Sequence, residues 1–345
     1  MKKIGIIGAT GYTGSELVRI LLQHPGVEIA FISSESYAKQ TFAQIHPQYE
    51  GIFEPILHSA QDIDQFKLDL VFLALPHKVS MDYIKKWQHK PFKIVDLSGD
   101  FRLSDPKVYQ HWYHKEHVMP EWLTRVPYGM PEIYADQIVE SPWVANPGCY
   151  PTASVLALAP LVKAGICDLN SLVIDAKSGL TGAGIKPSPN NIFSQVNDNF
   201  KAYGITTHRH TVEIEEQVSF LAEKEVLVQF TPHLLPIDRG ILASCYVQAL
   251  PNLDLNTQKL RTLFSDFYEN SPFVRVTSGP PEIKRVRGTN YCDVYPVYDP
   301  RTGRIVVISA IDNLVKGAAG QAVHNMNLML GFEQTTGLNL IPLQP

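Results

Sequence analysis

Asn146-Pro147-Gly148-Cys149-Tyr150-Pro151-Thr152 sets a cysteine between a Pro-Gly turn and the start of an apolar helical run over 153–162. A strand-like run over 143–145 leads into it. The dipole and unpaired N–H groups of a helix start favour a thiolate, the reactive form of the side chain. The same N–H groups can hold an oxyanion once that thiolate attacks a carbonyl. Pro151 suits a first helical turn, where its missing N–H costs nothing. A buried structural cysteine is the other use of such a residue, and the local punctuation favours the nucleophile. Further on, Thr207-His208-Arg209-His210-Thr211 opens a helical run with Ile214, Val218 and Leu221 on one face and Glu213 in its first turn. A histidine at a helix mouth with a carboxylate three residues later can act as an oriented base. As a metal pair, His208 and His210 lack further ligands nearby. Arg102, in Asp100-Phe101-Arg102-Leu103 just past a strand end, suits either a surface ion pair or a substrate anion. His111, His114 and His117 have a metal-like spacing, but Lys115 and Glu116 among them indicate a solvated helix face.

These groups need a scaffold. Residues 3–8 read as a short apolar strand running into Gly8-Ala9-Thr10-Gly11-Tyr12-Thr13-Gly14, then a helix over 15–23 and a second strand over 27–32. Strand, glycine turn, helix and strand form the dinucleotide-binding unit, with pyrophosphate at the helix N-terminus. NAD enzymes usually place an acid after the second strand, for the ribose hydroxyls. Here Ser33-Ser34-Glu35-Ser36, with Lys39 nearby, favours a 2′-phosphate and so NADP, while Glu35 keeps NAD open. Strands over 70–75 and 93–97, with a helix over 80–87 between them, end in Pro76-His77 and Ser98-Gly99-Asp100, where an open parallel sheet borders its cofactor.

The second half departs from that rhythm. A strand over 171–176 runs into the glycine-rich Lys177-Ser178-Gly179-Leu180-Thr181-Gly182-Ala183-Gly184, and 186–203 reads as a loop or flap. Strands over 227–230, 241–250 and 304–311, and an amphipathic helix over 256–268, predict a mixed or antiparallel sheet with one face open to a partner subunit. Asp312-Asn313-Leu314-Val315-Lys316-Gly317-Ala318-Ala319-Gly320 then begins a helix rich in small residues, as close approach to a cofactor or another helix requires. That helix is expected to pack back on the first domain.

The 345 residues suit two domains, and 45% hydrophobic with 19% charged residues suits a globular protein with ample core. A net charge of −4 argues against nucleic acid as a partner, and no apolar run approaches a membrane span. The start, Met1-Lys2-Lys3, makes a poor signal peptide because glycines, Glu16 and Arg19 follow. Cys149, Cys167, Cys245 and Cys292 are widely spaced without a C-x-x-C pair, which suits reduced thiols in a cytoplasm.

Together these stretches resemble the N-acetyl-gamma-glutamyl-phosphate reductases, the arginine-biosynthesis branch of the semialdehyde dehydrogenase group. The resemblance runs through nearly the whole chain. It rests on the glycine turn at 8–14, Asp100-Phe101-Arg102-Leu103, Tyr128-Gly129-Met130-Pro131-Glu132, the Cys149 motif, Lys177-Ser178-Gly179, His208-Arg209-His210-Thr211 and the 312–322 segment. Val212 departs from the proline frequent there, which bears on helix-start rigidity rather than chemistry.

The resemblance implies an α/β fold. An N-terminal Rossmann-like, doubly wound parallel sheet over 1–148, completed by a C-terminal helix over 313–345, is joined to an α+β catalytic and oligomerisation domain over 149–312 with a mixed, largely antiparallel sheet. It implies NADPH-dependent reduction of an acyl phosphate, N-acetyl-glutamyl phosphate, to the semialdehyde with release of phosphate, by a homodimer or homotetramer without metal. Cys149 is then the nucleophile, His210 the acid/base and Glu213 its orienting partner, with the choice between His208 and His210 open. Arg102, His208, Asn146 and Ser178 are the substrate candidates. Gly8, Thr10, Gly11, Tyr12, Thr13, Gly14, Ser33, Ser36, Leu75, Pro76, Gly179, Gly182 and Asn313 are the cofactor candidates. Aspartate semialdehyde dehydrogenase and a carrier-linked lysine-pathway reductase are the nearest rivals within the enzyme class. An inactive NADP-binding redox sensor is the rival outside it.

Overall fold

The computed structural model describes residues 1–189 and 191–343. Two compact units divide the chain, one of Met1–Pro147 with Ala318–Asn339 and one of Gly148–Gly317 with Leu340–Pro345.

In the first unit β1 (Lys2–Ile7) leads into α1 (Tyr12–Leu21) and β2 (Val27–Ser33). The short α2 (Phe42–Ile45) follows, then β3 (Leu70–Leu73), α3 (Ser80–Trp87), β4 (Lys93–Asp96), α4 (Pro106–Tyr113), α5 (Pro131–Glu140) and β5 (Trp143–Ala145). The strands form a parallel sheet in the order β2-β1-β3-β4-β5. β3 is apolar and buried throughout, and its neighbours β1 and β4 carry buried apolar centres, Ile4–Ile7 and Ile94–Val95, because both faces of the sheet are covered, as parallel sheets require. The order in which strands are added changes direction between β1 and β3, β2 lying on one side of β1 and β3 on the other. That switch point opens a crevice at the carboxyl ends of the strands.

Helix α1 begins at Tyr12 rather than Ser15, so half of the predicted glycine turn is its first helical turn. Gly8 makes the turn alone, with φ +83°, and a Cβ there would stand 2.4 Å from the Ala74 carbonyl oxygen. Gly11 then takes the extended N-cap conformation.

The second unit opens with α6 (Cys149–Lys163), in which every residue from Tyr150 to Val162 is buried. Then come β6 (Cys167–Ser178), α7 (Phe193–Val196), β7 (Lys201–Ala202), α8 (His210–Ala222), β8 (Gln229–Leu234) and β9 (Ile241–Ala249). The unit continues with α9 (Thr257–Phe267), β10 (Val274–Val276), β11 (Cys292–Asp299) and β12 (Arg304–Ile311). Its sheet runs β10-β11-β12-β9-β6-β8-β7. β11, β12, β9 and β6 pair antiparallel in turn, as do β8 and β7, while β10–β11 and β6–β8 are parallel. The mixed, largely antiparallel sheet is the one expected.

β6 starts four residues earlier than predicted and crosses a bulge between Asp168 and Val173, which breaks the period-two pattern that sequence reading depends on. β8 runs through Pro232, which sequence rules take as an end. The predicted loop over 186–203 holds only the short α7 and β7 among its described residues. Residue 190 lies outside them.

The chain ends with a π-helical turn, Val315–Ala319, and α10 (Gly320–Leu330) in the first unit. The helix expected over 313–345 is therefore much shorter. Gly331, at φ +73°, terminates it in the left-handed conformation that only glycine adopts freely. Residues 344 and 345 of that expectation lie outside the described residues. The Lys93 ammonium donates to the Met329 carbonyl at 2.8 Å and ties the end of α10 to β4.

Candidate active site

In the first unit, the Gly8 and Ala9 N–H groups both donate to the Ser33 carbonyl, at 3.1 and 2.9 Å. Gly14 lies so close that a Cβ would stand 2.3 Å from the Gly8 carbonyl oxygen. Gly11, by contrast, would meet only the Gly8 oxygen, at 3.8 Å. The N-terminus of α1 has no side-chain cap and no acid in its first turn, so its N–H dipoles face outward toward an anion. That cradle fits a dinucleotide pyrophosphate, and Thr10, Tyr12 and Thr13 are half-buried around it.

Ser33 is itself 1% exposed, whereas Ser36 is exposed. Ser34, in the serine run read as suiting a 2′-phosphate, shares a hydrogen bond with Thr10 (Oγ–Oγ1 2.9 Å). Glu35 is committed elsewhere: its carboxylate receives the Ala60 N–H at 2.9 Å and the Ser59 hydroxyl at 3.4 Å. It is therefore a poor ribose ligand. Leu75 and Pro76 follow β3 at the switch point, half-buried and exposed respectively.

At the end of β4 the chain forms a tight polar hook. Asp96 receives the Ser98 N–H (3.0 Å) and hydroxyl (2.8 Å), while the fully buried Asp100 receives the Lys78 and Met81 N–H groups and the Tyr109 hydroxyl. Burial, and then the neighbouring Asp100 carboxylate, push the Asp96 carboxyl well above its ordinary range. The hook delivers Arg102, whose Nε donates to the Asn146 carbonyl at 2.7 Å and whose Nη2 donates to the Leu97 carbonyl at 2.8 Å. Arg102 is only 6% exposed, so it is not a surface ion-pair residue. It clamps the ends of β4 and β5 together. Asn146 is also interior: its amide nitrogen donates to the Ala318 carbonyl (3.2 Å) and its oxygen receives Asn325 (3.0 Å). These bonds fix the backbone just ahead of the Cys149 turn.

Arg102→Ala would orphan two buried carbonyls and is expected to cost about 1–3 kcal/mol of stability. Arg102→Lys should recover only part, because an ammonium cannot span both acceptors. A denaturation midpoint unchanged in the alanine variant would show that the clamp is not formed.

Of the four cysteines, Cys149 alone is not buried. It is the first residue of α6, and Gly148 is the N-cap, without a side-chain cap. The Gly148 N–H donates instead to Glu213 Oε1 at 2.8 Å. Glu213 is 1% exposed, so its carboxylate pins the turn that presents the thiol, a role its spacing from His210 did not suggest. The next residue, Tyr150, is the hub of an aromatic cluster. Its ring meets His208, His210 and Phe230 edge-on, at centroid distances of 5.6, 5.9 and 5.3 Å. Its hydroxyl receives Tyr203 at 3.2 Å and donates to the His233 carbonyl at 3.1 Å. Burial raises both phenols, and the Cys149 thiol beside them raises each further. Both phenols were missed. Tyr150 is flagged only by its adjacency to Cys149, and Tyr203 by nothing in the sequence.

The two histidines differ. His208 Nδ1 receives the His210 N–H at 3.1 Å, so its remaining proton sits on Nε2. Burial, then the charge of Arg209, lower its pKa to about 4. At neutral pH His208 can donate a hydrogen bond but carries no charge. Its unfolded form binds a proton near pH 6.5. Between there and pH 4 the unfolded chain takes up more protons, so the stability due to the neutral ring is complete above pH 6.5 and lost as pH falls toward 4. Its ceiling is about 3 kcal/mol. Denaturation midpoints at pH 7 and 4.5 should fall less steeply in His208→Asn than in the parent. Parallel falls would show that His208 is not buried as a neutral ring.

Ser178 is buried with its hydroxyl on the Gly179 carbonyl (2.9 Å), and Gly179 packs on the Asp238 backbone. Gly182 is exposed. The Asn313 amide oxygen receives the Gly240 N–H (2.7 Å) and its nitrogen donates to Thr181 Oγ1 (3.0 Å), so Asn313 knits two loops of its own unit. His117, expected on a solvated face, is 4% exposed: α4 ends at Tyr113, and the chain turns back to set His117 edge-on against Phe101 and Tyr109. Among the described residues no group of three His, Cys, Asp or Glu side chains could hold a metal ion.

A glycine-turn parallel sheet followed by a mixed-sheet unit opening on a helix-start cysteine is the plan of the semialdehyde dehydrogenases. Residues 3–141 match the family model of the semialdehyde dehydrogenase NAD binding domain, and residues 149–313 that of the dimerisation domain. Solved structures share the fold. They include aspartate semialdehyde dehydrogenase with NADP from Candida albicans (18% identity, 96% of this chain and 98% of that one, TM-score 0.73) and aspartate semialdehyde dehydrogenase II from Vibrio cholerae (17%, 96% and 98%, 0.72). At full length the chain is 46% identical to the N-acetyl-gamma-glutamyl-phosphate reductase of Alkaliphilus metalliredigens and 47% identical to that of Desulforudis audaxviator, covering 100% of both chains in each case. The chain belongs to the N-acetyl-gamma-glutamyl-phosphate reductase family.

Proposed function

We propose that this protein reduces N-acetyl-L-glutamyl 5-phosphate to the 5-semialdehyde with NADPH, releasing phosphate, as a step of arginine biosynthesis. The observation that carries the reading is Cys149, the one unburied thiol, held at the start of α6 by a buried carboxylate on the Gly148 N–H. The chain is also nearly half identical, end to end, to reductases of that name.

Cys149 attacks the acyl carbon as thiolate, and the tetrahedral oxyanion collapses with loss of phosphate to a thioester. The α6 N-terminus stabilises that oxyanion, and later the one preceding aldehyde release. The glycine cradle at Gly8–Gly14 would hold NADPH, which would supply the hydride when bound. His210 takes the thiol proton and returns it, because His208 is neutral and too weak a base. Glu213 holds the Gly148 turn in register throughout. Arg102 and the His208 N–H donate to anionic oxygens of the substrate, so Arg102→Ala should raise KM as well as lower stability. Ser34, the committed Glu35 and Lys39 support NADP over NAD.

The dimerisation-domain match supports a homodimer or homotetramer. No helix among the described residues is long and apolar enough to cross a membrane, and the widely spaced thiols suit a cytoplasmic enzyme.

Steady-state oxidation of N-acetyl-glutamate semialdehyde with NADP in phosphate buffer tests the reading. Turnover that requires both phosphate and NADP is expected. A preference for aspartate semialdehyde, or NADPH binding without turnover, would overturn it.

A further inference from the structure

After β12 the chain makes a tight turn governed by Asp312, which is fully buried. Its Oδ1 receives the Leu314 and Val315 N–H groups at 2.8 and 3.1 Å, and its Oδ2 receives the Gly288 N–H at 2.7 Å and Arg239 Nη1 at 3.4 Å. Its carbonyl receives the Gly317 N–H at 2.9 Å. Five bonds on one residue leave the turn little freedom, and it passes directly into the π-helical stretch Val315–Ala319. Such widened turns recur at functional sites because they displace backbone that an α-helix would hold in line.

Here the displaced backbone lies on the nucleophile. A Cβ on Gly317 would stand 2.8 Å from the Cβ of Cys149, 3.2 Å from its Cα and 3.3 Å from Ile311 Cδ1. The two nearest neighbours are fixed to the Cys149 backbone, and the third, the tip of Ile311, is held by burial. Cys149 begins a helix buried from its second residue on, and Ile311 is 0% exposed.

We propose that Gly317 is a positioning residue for Cys149. Lacking a side chain, it lets the Asp312-pinned turn form a wall behind the cysteine Cβ, which fixes the direction from which the thiolate meets the acyl carbon. Any side chain there drives Cys149 off that position. The kinetic part of the inference rests on the thioester chemistry proposed above, but the contact itself does not.

Three readouts test it. In Gly317→Ala, kcat should fall by about 30-fold or more with KM changed by less than about threefold, since displacing a reacting atom by about 1 Å costs on the order of a hundredfold. Alkylation of Cys149 by iodoacetamide, followed on the Cys149 peptide by mass spectrometry, should change in rate by at least about fivefold. Finally, Gly317→Ala should lower the thermal midpoint by several degrees in the parent but by clearly less in Cys149→Gly, where the 2.8 Å contact with the opposing Cβ is gone. Equal loss in both backgrounds, or unchanged kcat and alkylation, overturns the proposal. Should Gly317→Ala fail to fold, the double variant decides: recovery of folding when Cys149 is glycine supports the contact, and failure there when Cys149→Gly alone folds assigns the loss to Ile311 and the backbone and overturns the proposal. A parent without reductase activity would sink the function reading, while alkylation and the midpoint cycle still judge Gly317.

Discussion

Cys149→Ser is expected to abolish turnover, by at least about a thousandfold, while NADPH binding stays intact. A hydroxyl is scarcely ionised at neutral pH, whereas a thiol at a helix start supplies a usable fraction of a far better nucleophile. Serine fits the same space and preserves the helix start, so the loss would report chemistry rather than folding. The glycine cradle belongs to the first unit and Cys149 to the second, so NADPH fluorescence titration should return a parental Kd. Surviving turnover would place the nucleophile elsewhere, and the buried Cys167, Cys245 and Cys292 offer no ready substitute.

His210→Asn is expected to lower kcat by about a hundredfold or more, the usual contribution of a positioned acid/base. From sequence, His210 was the favoured base, with His208, two residues away, left as the alternative. The structure separates them by environment. His208 spends Nδ1 on the His210 N–H and is held neutral by burial, with a pKa of about 4, too low for a base near pH 7. His208→Asn should therefore cost less activity than His210→Asn. The reverse order in kcat would exchange their roles.

Local patterns were the most legible. The glycine turn, the parallel β1-α1-β2 unit, the helix start at the cysteine and the mixed second sheet all follow from periodicity and punctuation. Boundaries slipped where tertiary contacts override them, as with the bulge in β6, the proline inside β8 and the left-handed stop at Gly331. Site residues divided along a similar line. Residue types singled out Cys149, His210 and Arg102 as candidates because the chemistry proposed for them is carried by a side chain in a recognisable turn. Positioning groups did not announce themselves. That Asn146 faces Asn325, that Glu213 holds Gly148 or that Asp312 pins Gly317 depends on pairings across 179, 65 and 5 residues of chain. Nothing in local spacing encodes the first two of those partners. The small residues after Asn313 did signal a close approach, but the neighbour of Gly317 is Cys149 rather than a cofactor or another helix.

The most direct test is to capture the acyl-enzyme. Mixing the protein with N-acetyl-glutamyl phosphate in the absence of NADPH, quenching in acid and mapping peptides by mass spectrometry should show an N-acetyl-glutamyl adduct on Cys149. The adduct should disappear when NADPH is added before the quench. An adduct on another residue, or none while the same preparation turns over with NADPH, would contradict the thioester route.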